Sequence, residues 1–426
     1  MYISFADRAA RKNEPARRGP DARKVSAVVV SLGVVSLLTD VSSESVAAIL
    51  PLYLTGVLGL STIAYGFIDG IYQGISAIVR IGGGWLSDRT DRPKWVAFAG
   101  YGISALARVW LLVASGFAAV VGVVAVDRLG KGIRTAPRDA MITAASDPAI
   151  LGRSFGVHRM LDTVGAATGP LLAFLILLLI PNGYGTVFAL SAACALLGLL
   201  VLGVLVPNRI RRPQPAGGVA GTAERTPARP PFRWRNLTDP RLRRVLVVAG
   251  LFGVCTVGDG FIYLVLQDNT DFAAAWFPLL YVGTNAVFLA LAVPLGRLAD
   301  RYGRARVFVI GHGALLAAYL CALAPLAGVP QTLVCLIFLG AFYAATDGVL
   351  AALAASVAPP GGTASGLAAA QTVVALARFL ASTVFGVLWF AVGPALALAV
   401  FSLAIGLVIP VAMYLLRGSA GQRTRV

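Results

Sequence analysis

The side chains with the clearest chemical potential in this chain are carboxylates that stand inside long apolar runs. Asp40 and Glu44 lie in the first run, and their spacing of four residues places them on the same face of a helix. Asp259 lies in the seventh run, which corresponds to the first run if the chain repeats itself in two halves. Ionisable residues inside a bilayer are costly, and they generally face a cavity or a partner and take part in function. We therefore predict that these three acids face an internal polar space and not lipid.

Paired carboxylates of this kind indicate proton chemistry. Two carboxylates close together in a medium of low dielectric favour the protonated form of at least one of them, and a proton-coupled carrier needs such a group. Glu44 is slightly favoured over Asp40 as the functional acid. A structural pairing of either acid with Arg80 or Arg128 is the alternative interpretation.

Other polar residues also stand in apolar runs. Asp69, Asp162 and Asp347 are single acids in such runs. Among the uncharged residues, Gln371 lies one turn into the eleventh run, and we expect it to line the same polar path. Taken singly, the remaining polar side chains are more often packing residues.

The composition indicates what kind of protein must position these residues. Of the 426 residues, 58% are hydrophobic and 13% are charged, whereas soluble domains have about 45–50% apolar and about 25% charged residues. A membrane-spanning helix needs about 20 mostly apolar residues. The apolar runs lie at about 26–54, 62–86, 95–115, 117–143, 153–180, 184–206, 245–267, 274–298, 305–326, 331–357, 363–390 and 393–416. We predict an all-α integral membrane protein with twelve transmembrane helices, which argues against a soluble enzyme and rules out a disordered chain or a disulfide scaffold.

The net charge of +17 follows from the loops. Lys and Arg cluster at both ends of the chain, in residues 207–244 and in alternate connections, while the other connections contain none. Because basic residues are enriched in cytoplasmic loops, we predict that both termini and residues 207–244 face the cytoplasm from the plasma membrane. Topology thus accounts for the charge, and we expect the lipid bilayer, and not a nucleic acid, as the partner.

An internal repeat divides the chain in two. The stretch Gly84-Trp-Leu-Ser-Asp-Arg-Thr-Asp-Arg-Pro-Lys follows the second run, and Gly296-Arg-Leu-Ala-Asp-Arg-Tyr-Gly-Arg-Ala-Arg follows the eighth. The two stretches are about half the chain length apart, as expected for a duplicated unit. The predicted parts are a basic tail 1–25, a six-helix bundle 26–206, a linker 207–244, a second six-helix bundle 245–416 and a tail 417–426.

With these two motifs the sequence resembles the major facilitator superfamily over residues 26–416. The motifs look like the signature G-x-L-x-D-R-x-G-R-x-R/K of that family. The second copy matches throughout, and in the first copy Asp91 stands where Gly is usual. The resemblance implies the major facilitator fold, in which two pseudo-symmetric bundles hold the substrate site between them near the middle of the membrane.

The resemblance also implies that the two motifs lock a cytoplasmic gate. Their carboxylates can accept bonds from the exposed N–H groups at the start of a neighbouring helix. For the arginines, simple anchoring at the cytoplasmic surface is an equal alternative. The predicted gating residues are Gly84, Asp88, Arg89, Arg92, Gly296, Asp300, Arg301, Gly303 and Arg304.

The fourth run contains a basic stretch that is similar to a further family pattern. Arg128-Leu-Gly-Lys-Gly-Ile-Arg-Thr-Ala resembles R-x-x-Q-G-x-G-x-A, with Lys131 and Arg134 in place of Gln and Gly. The resemblance implies a role for Arg128 in proton transfer or substrate binding. Neutralisation of Asp127 or of an acid in the first run is the alternative.

The fifth run is rich in helix-weakening residues. Gly156, Gly165, Gly169 and Pro170 are similar to the G-x8-G-x3-G-P pattern of drug:proton antiporters, without its closing Gly-Gly. Gly and Pro are unfavourable in a helix interior, so this segment is a candidate hinge. Tight packing against another helix is the equal alternative. The pattern favours export over uptake.

The resulting prediction is a secondary active transporter, most simply a monomer that exports a small organic molecule, a drug or metabolite, in exchange for protons. Uptake of an anionic solute bound by Arg128, Lys131 and Arg134 is the alternative. A non-transporting receptor or scaffold on the same fold is a minor one. The sequence contains no catalytic triad, phosphate-binding loop or His/Cys metal spacing, so we expect neither enzyme activity nor a cofactor or metal.

Overall fold

The computed structural model describes residues 25–417 except 91, 148–149, 209–238, 271, 325–327 and 359–362. The side chains of 77–78, 80–90 and 363–365 also lie outside the described part. Most of the predicted tails 1–25 and 417–426 and of the predicted linker 207–244 therefore falls outside the described residues.

The described chain is helical, which confirms the all-α prediction. Its α-helices are α1 Ala27–Leu52, α2 Thr62–Thr90, α3 Pro93–Leu111, α4 Gly116–Ala144, α5 Leu151–Leu179, α6 Tyr184–Leu205, α7 Pro240–Val254, α8 Asp259–Thr270, α9 Pro278–Tyr302, α10 Arg304–Leu323, α11 Val329–Val357, α12 Thr363–Val392 and α13 Pro394–Leu416. A π-helical turn, Tyr53–Val57, extends α1, and a 3₁₀ turn, Ala274–Trp276, precedes α9.

Local sequence explains several helix ends. The Ser26 side chain accepts a hydrogen bond from the Val29 amide at the start of α1, and Asp239 does the same for the first amides of α7. Such caps satisfy N–H groups that have no partner within the helix. At Gly303 the backbone φ is 102°, a conformation that favours glycine, and the chain turns there from α9 into α10.

Nine helical segments in the described part of the chain are long and apolar enough to cross a membrane. One of these segments, Pro240–Thr270, comprises α7 and α8. Another, Ala274–Tyr302, comprises the 3₁₀ turn and α9. The remaining helices α2, α3 and α4 have 29, 19 and 29 residues. These three helices are not among the nine apolar segments, and α4 packs chiefly against the other two.

The helices pack mainly against others from the same half of the sequence. In the first half, α1 contacts α5 and α6, and α4 contacts α2 and α3. In the second half, α11 contacts α9 and α10, and α12 contacts α7. The two groups meet chiefly where α2 packs on α12 and where α5 packs on α9. The exact bundle limits, 26–206 and 245–416, stay a prediction.

The contact between α2 and α12 is close enough to exclude side chains at one point, which we call the Gly66–Gly386 crossing. A Cβ atom on Gly66 would collide with the Ser382 carbonyl oxygen, and one on Gly386 would collide with the Thr62 carbonyl oxygen. The Thr62 hydroxyl donates a 3.1 Å hydrogen bond to the carbonyl of Gly386. Small residues allow this approach, and the crossing lies where α2 begins and α12 ends.

The seventh apolar run, expected as one helix, is two helices separated by residues 255–258. Such a break inside a membrane requires that other groups satisfy the freed backbone. The Tyr319 hydroxyl accepts a 2.8 Å bond from the Val257 amide and lies 3.2 Å from the Cys255 carbonyl, to which it donates. The break is thus held by a side chain of α10, and it makes Asp259 the first residue of α8.

Candidate functional site

A cavity of about 260 Å³ lies between the two groups of helices. Its walls come from α1, α2, α8, α9 and α11, so both halves of the sequence contribute. The lining residues are Glu44, Ala47, Leu50, Pro51, Tyr65, Asp69, Tyr72, Gln73, Asp259, Gly260, Tyr263, Tyr281, Thr284, Asn285, Phe288, Tyr343 and Asp347. This cavity is the candidate solute site.

Four carboxylates from four different helices face this cavity. They are Glu44 of α1, Asp69 of α2, Asp259 of α8 and Asp347 of α11. Among the described residues that line the cavity there is no Lys, Arg or His. The lining therefore carries acidic groups without a basic group beside them in the wall.

Asp259 owes its position to the break between α7 and α8. Because it is the first residue of α8, its carboxylate lies at the positive end of the helix dipole, which favours a negative charge. The Tyr343 hydroxyl donates a 2.8 Å hydrogen bond to Asp259 Oδ1. This bond joins α8 to α11 at the cavity wall.

Asp69 connects three structural elements. The Ser382 hydroxyl of α12 donates a 2.6 Å hydrogen bond to Asp69 Oδ2, and Gln73 lines the same part of the cavity. A Cβ atom on Gly258 would overlap this carboxylate, so the glycine of the helix break leaves the space that Asp69 fills. Asp69 thereby ties α2 to α12 and to the break.

Five tyrosines form the aromatic part of the lining: Tyr65, Tyr72, Tyr263, Tyr281 and Tyr343. The rings of Tyr263 and Tyr281 meet edge to face at 4.7 Å, and the hydroxyl of Tyr263 lies 2.7 Å from that of Thr284. These contacts fix the orientation of the rings from neighbouring helices.

Two arginines lie near the cavity without lining it. The guanidinium carbon of Arg128 lies 3.7 Å from the centre of the Tyr72 ring, and Arg128 also donates to Asp127 at 2.8 Å. The guanidinium carbon of Arg378 lies 5.8 Å from the centre of the Tyr343 ring, and its charge acts on Asp259 and Asp347. Each arginine therefore places a positive charge near the ring of a tyrosine in the cavity wall.

The predicted cavity residues separate into those that reach the cavity and those that do not. Glu44 and Asp259 line it. Asp40 lies outside the lining, next to Asp162 of α5. Gln371 is exposed on α12 and is not part of the lining, and Arg128 lies behind Tyr72.

The gating motifs lie away from the cavity. In the first copy, the side chains of Gly84, Asp88 and Arg89 fall outside the described residues, while Arg92 is exposed just before α3.

In the second copy, Gly296 lies in α9 and Arg301 is exposed close to the Gly303 turn. The carboxylate of Asp300 forms a 3.0 Å ion pair with the guanidinium of Arg304. The Arg304 guanidinium also donates to the Ala352 carbonyl of α11 at 3.2 Å. The contacts of this copy thus stay within the second half of the chain.

The glycines of the fifth run support close packing of α5 against α1. A Cβ atom on Gly165 would collide with the backbone of Leu37, and one on Gly169 would crowd the backbone of Val41 and Ser45. Gly156 meets no atom within 4 Å, and α5 continues through Pro170 without a break. These contacts fit the packing alternative, and the hinge stays a prediction.

Sequence reasoning missed several residues of the lining. Asp69 and Asp347 were recognised as single acids in apolar runs but were not placed in the site. Tyr65, Tyr263 and Tyr281 had no signal that separates a lining tyrosine from a core tyrosine. The glycines on either side of Asp259 were the available signal for the helix break, because glycine weakens a helix interior.

Comparison with known proteins identifies the family. The family model for the Major Facilitator Superfamily matches residues 32–382, with a further match over 265–426. The chain belongs to the Major Facilitator Superfamily. It is therefore an integral membrane protein, a transporter and not an enzyme, as the sequence predicted.

Relatives with sequence similarity carry no more specific description. An uncharacterized MFS-type transporter of Methanocaldococcus jannaschii is 29% identical over 296 residues, which cover 68% of this chain and 70% of the relative. An uncharacterized protein of Mycobacterium tuberculosis is 28% identical over 293 residues, which cover 66% of this chain and 68% of the relative.

Solved structures share the fold at low identity. The nucleoside transporter NupG superposes with a TM-score of 0.73 at 14% identity, covering 92% of this chain and all of the other. A mutant of the peptide transporter POT gives a TM-score of 0.73 at 17% identity, with 92% and 94% covered. These similarities confirm the major facilitator fold.

Proposed function

We propose that this transporter exports a small organic molecule in exchange for protons, by alternating access. The observation that carries the proposal is the cavity between the two groups of helices, where carboxylates from four helices converge. Carriers of this fold bind solute and coupling ion between their two halves, and a carboxylate is a side chain that can hold a proton there.

Exchange follows if the solute and the proton compete for the same groups. A carboxylate that binds a proton loses the charge with which it would bind a solute, and a carboxylate engaged by a solute resists protonation. Two ligands that exclude each other from one site each lower the affinity for the other, so their coupling free energy is unfavourable. Over a transport cycle this competition moves the solute in one direction and protons in the other.

Glu44 and Asp259 are the proposed proton-binding groups. Glu44 of α1 faces Tyr72 of α2, and the charges of Arg128 and Lys131 of α4 act on it. Asp259 faces Tyr343, Asp347, Asp69 and Arg378. These two acids lie on opposite halves of the sequence, so protonation can affect both sides of the cavity. Asp40, paired with Asp162, is a second candidate outside the cavity.

The packing also supports alternating access. The Gly66–Gly386 crossing holds the two groups of helices together where α2 begins and α12 ends. If both termini are cytoplasmic, as proposed, this is the outer end of the molecule. At the other end the described contacts of Asp300 and Arg304 stay within the second half, which fits a cytoplasmic gate that is not locked in this conformation.

Uptake of an anion finds less support. Arg128 donates to Asp127, and the guanidinium carbon of Arg134 lies 4.5 Å from the centre of the Tyr101 ring. Neither of them, nor Lys131, lines the cavity. A negatively charged solute in the cavity would instead meet four carboxylates.

The test is substrate-driven proton movement in proteoliposomes that contain a pH-sensitive dye. A panel of small cations, neutral amides and carboxylates is added outside, and a transported compound is expected to raise the internal pH as protons leave. Glu44→Gln should abolish the pH change, whereas Asp268→Asn, at an exposed acid of α8, should retain it. Solute uptake without any pH change, with Glu44→Gln fully active, would contradict the proposal.

A further inference from the structure

We propose that the cavity selects organic cations with an apolar body, and that Glu44 and Asp347 together with the tyrosine rings recognise the charge. This inference rests on the proposed function, because it names the class of molecule that the same cavity carries. It is carried by the shape and the mixed lining of the cavity, in which acidic, aromatic and apolar groups occur together.

The charge of the lining favours a cation. Glu44, Asp69, Asp259 and Asp347 contribute four carboxylates, and no basic residue stands among the described lining residues. Outside the lining, Arg378 acts on Asp259 and Asp347, and Arg128 and Lys131 act on Glu44. These cations offset part of the acidic charge from behind the wall, and none of them lines the cavity. An anionic solute would have to enter against this charge, and its burial there would lack a compensating partner.

The hydrogen bonds that the four acids accept within the protein show which of these acids can still bind a solute. Asp69 accepts from Ser382 and Asp259 accepts from Tyr343, so both are fixed to neighbouring helices. Glu44 has only the 3.3 Å contact from Ser43. No hydrogen bond to Asp347 is seen among the described residues, and its side chain is exposed at the cavity. Glu44 and Asp347 therefore have the most remaining capacity to bind a cationic group.

The tyrosines of this wall already serve as platforms for cations within the protein. Arg128 stacks on Tyr72 with a separation of 3.7 Å, and Arg378 lies 5.8 Å from the Tyr343 ring. A cation within about 6 Å of an aromatic ring centre is attracted by the electron-rich face. Rings that accept protein cations from outside the cavity are of the right type to accept a solute cation inside it.

The remaining lining indicates an apolar body for the solute. Ala47, Leu50 and Pro51 of α1 and Phe288 of α9 share the wall with the polar groups. A small hydrophilic cation would leave these surfaces without a partner, whereas an aromatic or aliphatic body buries them favourably. The cavity thus fits an amphiphilic cation better than a metal ion or a simple ammonium ion.

The experiment compares three probes of the same size that differ in charge: 1-naphthylmethylammonium, 1-naphthalenemethanol and 1-naphthoate. Thermal unfolding of the purified full-length protein in detergent is measured at increasing concentration of each probe, since a ligand of the native state raises the melting temperature. We expect stabilisation by the ammonium compound, less by the alcohol and none by the carboxylate.

Variants assign the effect to the cavity. Asp347→Asn and Glu44→Gln should each weaken the apparent affinity for the ammonium probe by about tenfold or more, the loss expected for one charge-assisted contact. Asp268→Asn serves as the matched control and should leave the affinity unchanged. Asp347 is exposed, so its variant is expected to fold, and the unliganded melting temperature verifies this.

Each other outcome overturns the inference. Equal stabilisation by all three probes, stronger stabilisation by 1-naphthoate, or stabilisation by none of them up to their solubility limits would contradict cation selection. Unchanged affinity in both cavity variants would contradict the assignment to Glu44 and Asp347. Thermal unfolding needs no proton gradient, so it tests cation binding separately from transport. Cation binding without proton coupling would contradict only the proposed function. Proton-coupled transport of a neutral solute would contradict only this inference.

Discussion

Two groups of carboxylates inside this protein differ in how their charge is balanced. Asp127 of α4 forms 2.8 Å ion pairs with both Arg108 and Arg128, and its side chain is only 7% exposed. In the cavity, Glu44, Asp69 and Asp259 receive hydrogen bonds from uncharged hydroxyl groups, and no bond to Asp347 is seen among the described residues. Both groups lie among membrane-spanning helices, and only the first is paired with cations directly.

This difference separates a structural role from a functional one. A buried ion whose charge is compensated by two partners stabilises one arrangement of helices and has little capacity left for a ligand. A carboxylate that forms no direct ion pair keeps more of its charge available to a proton or a cationic solute. The region around Asp127 therefore links α3 and α4, whereas the cavity is the site where we propose that solute and proton exchange.

The largest effect is expected from removing the charge of Asp127. Asp127→Asn leaves Arg108 and Arg128 buried without their shared carboxylate, and loss of one partner of a buried pair costs about 3–5 kcal/mol. Thermal unfolding in detergent should show a strongly lowered melting temperature. A melting temperature equal to that of the parent protein would show that Asp127 is no more structural than the cavity acids.

A smaller loss is expected from filling the space beside Asp69. Gly258→Ala places a methyl group where the Asp69 carboxylate lies, and overpacking of this kind costs about 1–3 kcal/mol. Gly348→Ala is the matched control, because no atom lies within 4 Å of that position and alanine favours the helix. Equal melting temperatures for the two variants would contradict the contact between Asp69 and the helix break.

A still smaller effect is expected at the hydrogen bond that joins α2 to α12. Ser382→Ala removes the 2.6 Å bond to Asp69, and such a bond to a charged group contributes about 1.5–3 kcal/mol. Because the cavity is open to water at Asp69, the lower end of that range applies. Ser402→Ala removes a hydroxyl that bonds only to its own helix at Leu398 and should change the unfolding midpoint less. The reverse order of the two variants would contradict a link between the halves at Asp69.

The smallest effect on stability is expected at the acid with the least support from neighbours. Asp347→Asn removes a charge that has no hydrogen-bond partner in the described structure, so we expect a midpoint within about 0.5 kcal/mol of the parent protein, as is usual for exposed positions. A loss as large as that of Asp127→Asn would mean that the cavity acids are structural, and the comparison would fail.

The acids that line the cavity could be predicted only in part. The cost of a charge in an apolar run indicated Glu44 and Asp259 as residues that avoid lipid, and the structure places both in the lining of the cavity. Asp40 and Glu44 share a helix face, but only Glu44 lines the cavity. One helical turn separates them along α1, and at the level of Asp40 the neighbour is Asp162 of α5.

The helix break shows why the rest was out of reach. Residues 255–258 lie within the seventh apolar run, where the glycines beside Asp259 are the local signal for a break. The side chain that satisfies the broken backbone is Tyr319, more than 60 residues further along the chain. Sequence patterns report local preference, whereas this break depends on a distant partner. Tyr65, Tyr263 and Tyr281 were missed for the same reason, since the direction in which they point depends on how α2, α8 and α9 meet.

The most direct test of the account is whether solute binding releases protons. Binding of 1-naphthylmethylammonium to the purified protein in weakly buffered detergent solution is followed with a pH indicator, at several values from about pH 5 to pH 8, which span the range where carboxylates and their perturbed forms titrate. We predict proton release on binding at one or more of these values, reduced in Glu44→Gln and unchanged in Asp268→Asn. Saturable binding with no proton release at any pH would contradict the claim that solute and proton compete for the carboxylates of the cavity.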